Sequence, residues 1–221
     1  MIYTIGGIKG GSGKTTIATN LVVLLASMKR DILLIDADDQ ESATDFTVFR
    51  NQTLGDLDYT AVKITGNEIG KQVQRLATKY DDIVIDVGGR DTTSQRSALV
   101  VSEVALFPFV GRAVDIWTLR KLNDLLNEIG TFNPNLLALT FINKADHSGR
   151  NKEDASIILQ TSENLKFLNT PIGNRIAFGH AIAMGLSVIE LKPADEKAIL
   201  EIKNLYKAVN QLVTDNNLRL F

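Results

Sequence analysis

Short apolar runs, mostly β-branched or aromatic, recur along the chain at Ile2–Ile5, Ile32–Ile35, Ile83–Ile85, Val104–Phe109 and Leu136–Ile142, each followed by a stretch compatible with a helix. Runs of this length read as strands, and their alternation with helical stretches predicts βαβ units. The runs are nearly continuous rather than alternating, the pattern of parallel strands covered on both faces by right-handed crossovers. The expected fold is α/β: a doubly wound, mostly parallel sheet with helices on both faces. A helix is expected over Ile17–Met28. The closing helix places Ile199, Ile202, Leu205, Tyr206, Val209, Leu212 and Val213 on one face, after Pro193. Asn51–Thr60 reads as a polar connection. No repeat, low-complexity tract or long linker divides the 221 residues, so a single domain over 1–221 is expected.

Composition narrows the chemistry. Hydrophobic residues at 44% and charged residues at 23% are ordinary globular values, and no apolar run is long enough for a membrane helix, so a soluble protein is expected. Met1–Gly6 lacks the features of an export signal. The absence of cysteine removes disulfides, thiolate zinc sites and cysteine nucleophiles, and with the missing signal it favours the cytoplasm. At a net charge of −2, nucleic-acid binding would need a local basic patch.

Directly after the first run stands Lys9-Gly10-Gly11-Ser12-Gly13-Lys14-Thr15-Thr16, with the apolar stretch Ile17–Met28 behind it. Gly10, Gly11 and Gly13, with Ser12 among them, let the backbone curl so that successive N–H groups point at phosphate oxygens, and the helix N-terminus adds its positive dipole end. Lys14 is spaced to reach the β- and γ-phosphates, Thr15 to ligate Mg²⁺ and Thr16 to contact the α-phosphate. A glycine-rich turn with a surface lysine is the ordinary alternative, but strand context, Gly-Lys-Thr and the following helix together point to a P-loop.

The general P-loop has glycine where this chain has Ile8, and it makes no demand for a lysine at Lys9. Lys9-Gly10-Gly11-Ser12-Gly13-Lys14-Thr15-Thr16 resembles instead the deviant P-loop of the ParA/MinD family of ATPases. The resemblance implies that Lys9 reaches across a dimer to the partner's nucleotide, coupling nucleotide state to self-association. Taken alone, Lys9 also fits a solvated lysine.

Asp36-Ala37-Asp38-Asp39-Gln40 ends the second run, where strand C-termini converge on a ligand crevice. It resembles the family's switch I, Asp-x-Asp-Pro-Gln, which implies that Asp38 orients the attacking water. Asp39 stands in place of the proline, loosening the backbone and adding a charge. As residues alone, these carboxylates also fit a turn or an N-cap. Ile83-Val84-Ile85-Asp86 is an apolar strand ending in a carboxylate, an arrangement that holds Mg²⁺ directly or through water, with a helix-capping aspartate as the alternative. Val87-Gly88-Gly89-Arg90-Asp91 resembles switch II, in which the Gly88 amide senses the γ-phosphate. Asn143-Lys144-Ala145-Asp146 leaves two bases open: guanine through paired carboxylate hydrogen bonds, or adenine, which the resemblance assigns to Asn143.

The resemblance extends through Phe107-Pro108-Phe109, Asp115-Ile116-Trp117, Arg175, Ala181, Gly185–Val188 and the closing helix, to the short ParA proteins of plasmid or chromosome partition. These lack an N-terminal helix-turn-helix domain, for which the position of Lys9 leaves no room. It implies ATP, ADP and Mg²⁺ as ligands, hydrolysis of ATP to ADP and phosphate, a nucleotide-dependent homodimer that binds DNA nonspecifically, a ParB-like partner that stimulates hydrolysis, and a nucleoid-associated location in the cytoplasm. Candidate DNA-binding cations are Lys192, Lys197, Lys203 and Lys207, with Arg112, Arg120 and Lys121. Asp195, Glu196 and Glu201 dilute the first set, so charge alone favours a solvated mixed face. Asn216–Phe221 is too short and neutral for a membrane anchor, so no stable membrane association is expected. The alternative function is a MinD-like or cargo-positioning switch acting on a protein assembly or membrane. A small-molecule kinase would want a lid rich in arginine, which Thr92–Phe221 does not show. His147 and His180 are read as structural.

Overall fold

The computed structural model describes residues 1–111, 116–146 and 151–216. Within them, β1 (Ile2–Ile5), β2 (Ile32–Ala37), β3 (Thr60–Lys63), β4 (Asp82–Val87), β5 (Val104–Val110), β6 (Leu137–Asn143) and β7 (Lys166–Phe167) form one parallel sheet in the order β3-β2-β4-β1-β5-β6-β7. The helices among the described residues are α1 (Lys14–Ser27), α2 (Ser42–Leu54), α3 (Glu68–Leu76), α4 (Thr93–Val101), α5 (Ile116–Gly130), α6 (Asn151–Gln160), α7 (Ile176–Ala183) and α8 (Glu196–Asp215).

β2 and β4 are buried at every position because alternate side chains enter two different layers. Tyr3, Ile5, Leu34, Val84, Leu106 and Phe141 pack with α1, α2, α7 and α8. On the opposite face, Leu33, Ile35, Ile83 and Ile85 pack with α3 and α4, while Ala105, Phe107 and Ile142 pack with α5 and α6. This is the doubly wound arrangement that the continuous apolar runs predict. α1 is buried around its whole circumference from Ile17 to Ala26, as a helix apolar on all sides must be. α8 buries Ala198, Ile202, Leu205, Val209 and Val213, and Asp195 caps it by accepting the Lys197 and Ala198 N–H groups at 3.1 and 3.0 Å.

Some boundaries differ from expectation. α1 starts at Lys14 rather than Ile17, so Lys14, Thr15 and Thr16 form its first turn. Asn51–Thr60 is not all connection: Asn51–Leu54 complete α2, and Thr60 opens β3. α2 turns Val48 and Phe49 outward as well as Phe46 inward, so it lacks the one-sided stripe by which a helix announces itself. β7, two residues at the sheet margin, carries no readable pattern.

Candidate functional site

The C-terminal ends of β1, β2, β4 and β6 meet at one rim of the sheet, and register fixes the neighbours: Ile5 stands beside Asp86, and Asp86 beside Asp36. Gly6–Gly13 leaves this rim and feeds α1. Its last bend depends on Gly13, which has φ 88°, and a side-chain carbon there would lie 2.3 Å from Asn143 Nδ2. The Asn143 amide donates to the Ser12 carbonyl at 2.7 Å, and the Lys144 ammonium donates to the Gly11 carbonyl at 2.8 Å. The end of β6 thus braces the loop on one side. Gln95 braces it on the other, its Oε1 accepting the Gly7 N–H at 2.9 Å. Gln95 is fully buried in the first turn of α4, where Thr92 is the N-cap and accepts the Gln95 N–H.

Lys14 is only 7% exposed, and its ammonium donates to the Lys9 carbonyl at 3.4 Å. Burial lowers its pKa, opposed by the charges of Asp86 and Asp38. The Thr15 hydroxyl donates to Asp86 Oδ2 at 2.6 Å, while Asp86 Oδ1 is buried with no hydrogen-bond partner. Burial pushes the Asp86 carboxyl up to about 7; the Thr15 bond works against this and the Asp36 charge adds to it. A buried carboxylate with an orphan oxygen is costly unless a cation completes it. Mg²⁺ takes one or two protein oxygens and fills its octahedron with phosphate oxygens and water, so Thr15 and Asp86 fit it. Ser12 Oγ is likewise buried and unpartnered on the inner side of the loop.

Across from α1, buried Asp36 accepts the Thr44 N–H at 2.7 Å, the Thr44 hydroxyl at 2.8 Å and the Asp38 N–H at 3.1 Å. These bonds tie the β2–α2 loop to α2. Asp38 Oδ1 accepts the Gln40 N–H at 3.2 Å and stands 3.1 Å from the point where a side chain on Gly88 would begin. Asp38 and Gly88 are therefore in contact, while Asp39 and Lys9 are exposed. The cleft between these elements, partly open to solvent, measures about 600 Å³, and its walls include Gly10, Gly11, Gly13, Lys14, Thr15, Thr16, Asp38, Gly88, Gly89, Arg90 and Lys144. A second hollow, of about 500 Å³, opens beyond Ala145 and Asp146 against Pro171, Gly173 and Arg175. Glu201 of α8 fixes its far wall by accepting from Arg175 and from the Gly173 N–H at 3.0 Å.

The sequence-predicted residues Gly10 to Thr16, Asp38, Asp86 and Gly88 thus converge, with Lys9 at the outer edge of the loop. Asn143 lies behind the loop, its amide committed to Ser12. Sequence reasoning missed Gln95 and the bracing roles of Asp36 and Lys144; a single glutamine on a helix carries no signal of a partner 88 positions away. Among the described residues the candidate DNA cations fall into two groups. Lys203 and Lys207 are exposed on α8, Lys192 and Lys197 are exposed near its start, and Arg120 and Lys121 are exposed on α5 in the opposite helical layer. Arg112, Asp115, His147 and 217–221 lie outside the described residues, and His180 is an exposed residue of α7 away from the cavity. Among the described residues, no helix is long and apolar enough to cross a membrane.

Residues 3–188 match the family described as CobQ/CobB/MinD/ParA nucleotide binding domain. The maintenance of carboxysome distribution protein A of Halothiobacillus neapolitanus is 22% identical over 209 residues, covering 93% of this chain and 94% of its own. A Borrelia burgdorferi B31 protein assigned to plasmid partition and bound to AMPPNP superposes with a TM-score of 0.76 at 22% identity, over 95% of this chain and 98% of that one. The septum site-determining protein MinD of Pyrococcus horikoshii OT3, complexed with Mg-ADP, superposes with a TM-score of 0.71 at 19% identity, over 97% and 98%. The family match spans every element of the cavity, from the loop after β1 to the switch strands and the end of β6, and the chain belongs to the CobQ/CobB/MinD/ParA nucleotide-binding family.

Proposed function

We propose that the protein is a Mg²⁺-dependent ATPase of the ParA type, which forms an ATP-sandwich dimer, binds DNA nonspecifically and drives plasmid or chromosome partition as a ParB-like partner stimulates hydrolysis. The observation that supports it most is the Lys9–Thr16 loop curled over a 600 Å³ cavity, with Asp38 and Gly88 facing Lys14 and Thr15. The ligands in the AMPPNP and Mg-ADP complexes of the relatives are consistent with it.

In this reading the loop amides and Lys14 hold the triphosphate, and Thr15 and Asp86 hold Mg²⁺. Mg²⁺ held there would offset the negative charge of the phosphates. The base lies toward the hollow beyond Asn143, walled by Ala145, Pro171 and Gly173. Asp38 orients a water for in-line attack on the γ-phosphorus; the bond to the ADP oxygen breaks, and ADP and phosphate leave. Lys9 of a second subunit completes the charge around the phosphates, so a lone subunit turns over slowly. Lys9→Ala accordingly keeps nucleotide binding and loses ATP-dependent dimers and hydrolysis.

A second reading, a switch that positions a protein assembly or acts at a membrane, is supported by two observations. The candidate DNA cations divide between opposite helical layers, and the carboxysome-distribution relative spans nearly the whole chain. Co-sedimentation with nonspecific duplex DNA under ATP, ADP and GTP, with light scattering for mass, separates the two. DNA binding by ATP dimers supports partition; ATP dimers without DNA binding support the second reading. A GTP preference overturns the adenine assignment of Asn143.

A further inference from the structure

Lys9 stands between two contacts that come from the same distant segment. On its N-terminal side, the Gly7 N–H is held by Gln95 at 2.9 Å. On its C-terminal side, the backbone of Gly10 rests against Gly89: a side-chain carbon on Gly89 would lie 2.8 Å from both Gly10 Cα and Gly10 N, and 2.9 Å from the Lys9 carbonyl carbon. No residue but glycine fits at position 89 without moving the loop. Gly7 and Gly10 are separated by about 10 Å of extended chain at most, so Ile8 and Lys9 cannot shift as a unit unless one of the two contacts shifts with them.

Both contacts belong to the stretch from the end of β4 through the first turn of α4. Gly89 follows Gly88 directly, and Gln95 sits in the first turn of the helix that Thr92 caps. Gln95 is fully buried yet uses only its acceptor end, since Nε2 has no hydrogen-bond partner. Its place is therefore justified by the Gly7 N–H, which an apolar side chain of similar size would leave buried and unpaired. A third hold acts from inside the loop: the Lys14 ammonium donates to the Lys9 carbonyl at 3.4 Å. A Lys14 turned to a phosphate would release this hold, and Gly88, which lines the same cavity, adjoins Gly89 directly.

We propose that Gln95 and Gly89 are positioning residues for Lys9, through which the β4–α4 segment sets the place of that lysine according to whether a γ-phosphate is bound. The inference rests on the ATP-sandwich reading and adds its route: the phosphate reaches Lys9 through Gly88, Gly89 and α4. ADP frees the Lys9 carbonyl from Lys14 but leaves the outer two contacts as they are. ATP acts on all three.

The test compares wild type with Gln95→Leu and Gly89→Ala, measuring ADP affinity by calorimetry and ATP-dependent dimer dissociation by light scattering. Gln95→Leu is expected to bind ADP within about threefold of wild type while its ATP dimer weakens by roughly tenfold or more; Gly89→Ala, which moves a wall of the nucleotide cavity, is expected to weaken the ATP dimer by at least about tenfold more than it weakens ADP binding. Hydrogen exchange at Gly7 is expected to accelerate in Gln95→Leu under ADP. Dimers as tight as wild type in both variants overturn the proposal. So does a loss of ADP affinity in step with dimerisation, which would mark a merely structural role. If Gln95→Leu fails to fold, Gly89→Ala decides between the same outcomes. If wild type forms no ATP dimer, the sandwich reading falls, and the proposal with it; a wild-type dimer with unaffected variants sinks the proposal alone.

Discussion

Two buried polar regions of the molecule differ in a way that separates holding from waiting. On α2, Arg50 is buried among six donor contacts: Asp58 accepts once from Nε and with both oxygens from Nη2, Glu190 accepts from Nη1 and Nη2, and the Gly185 carbonyl accepts from Nη1, while the Tyr59 ring centroid lies 5.9 Å away. Burial works against its charge, but Glu190 and Asp58 outweigh it and raise the pKa. The knot continues as Glu190 accepts the Ser187 N–H, the Ser187 hydroxyl donates to Asn20 and the Asn20 amide donates to the Thr16 carbonyl. At the loop after β1 the burial is equal and the accounting is open: Asp86 Oδ1, Ser12 Oγ and Gln95 Nε2 have no hydrogen-bond partner. A fully satisfied polar cluster specifies structure, whereas the open Asp86 oxygen, on the carboxylate that already accepts from Thr15, is where a cation fits.

The comparison makes opposite demands on the two regions. Lys14→Ala is expected to weaken ADP binding by roughly a hundredfold or more in calorimetry while shifting the melting temperature little, because the site is built for a ligand. Arg50→Leu is expected to destabilise by about 3 kcal/mol in urea unfolding, since it strands Glu190 and Asp58, and to leave ADP affinity within about threefold. If Arg50→Leu costs no stability, the knot is not what holds α2 to the Gly185–Glu190 turn.

Asp86→Asn sharpens the contrast. Removing a buried, half-paired charge is expected to stabilise the metal-free protein by about 1–2 kcal/mol at pH 8 while abolishing Mg²⁺-supported turnover. The gain has a direction in pH. With its native pKa raised to about 7, wild-type Asp86 takes up a proton in the folded state before it does in the unfolded one, so wild-type stability rises as pH falls from about 8 toward 5. The variant lacks that slope, and its advantage shrinks over the same window. Parallel stability profiles would show that Asp86 carries no such burden. The smallest effect belongs to Ser187→Ala, expected to cost about 1 kcal/mol, because Asn20 Oδ1 keeps the Val188 N–H.

What was legible in the sequence follows from the range of the interactions involved. The strands, α1 and the loop at Lys9–Thr16 are written in local pattern: apolar runs, closely spaced glycines and a Gly-Lys-Thr step. Asp36 and Asp86 were legible as carboxylates at strand ends, but their division of labour was not, because it comes from parallel register and from Thr44 and Thr15. Arg50 gave no signal, since Glu190 lies 140 positions away and a lone arginine in a polar helix looks solvated. Asn143 illustrates the remaining difficulty: its position was legible, but its bond to Ser12 depends on how closely β6 passes Gly13.

Both margins of the sheet are short. β3 spans four residues, and the last of them, Lys63, is ion-paired with Glu41; β7 spans two. An open strand edge is a template on which another chain can add, but margins this brief offer an incoming strand only a bond or two. Fibrous growth by strand addition is thereby discouraged at both ends, and copies of the protein crowded together have to meet through loops and helices instead.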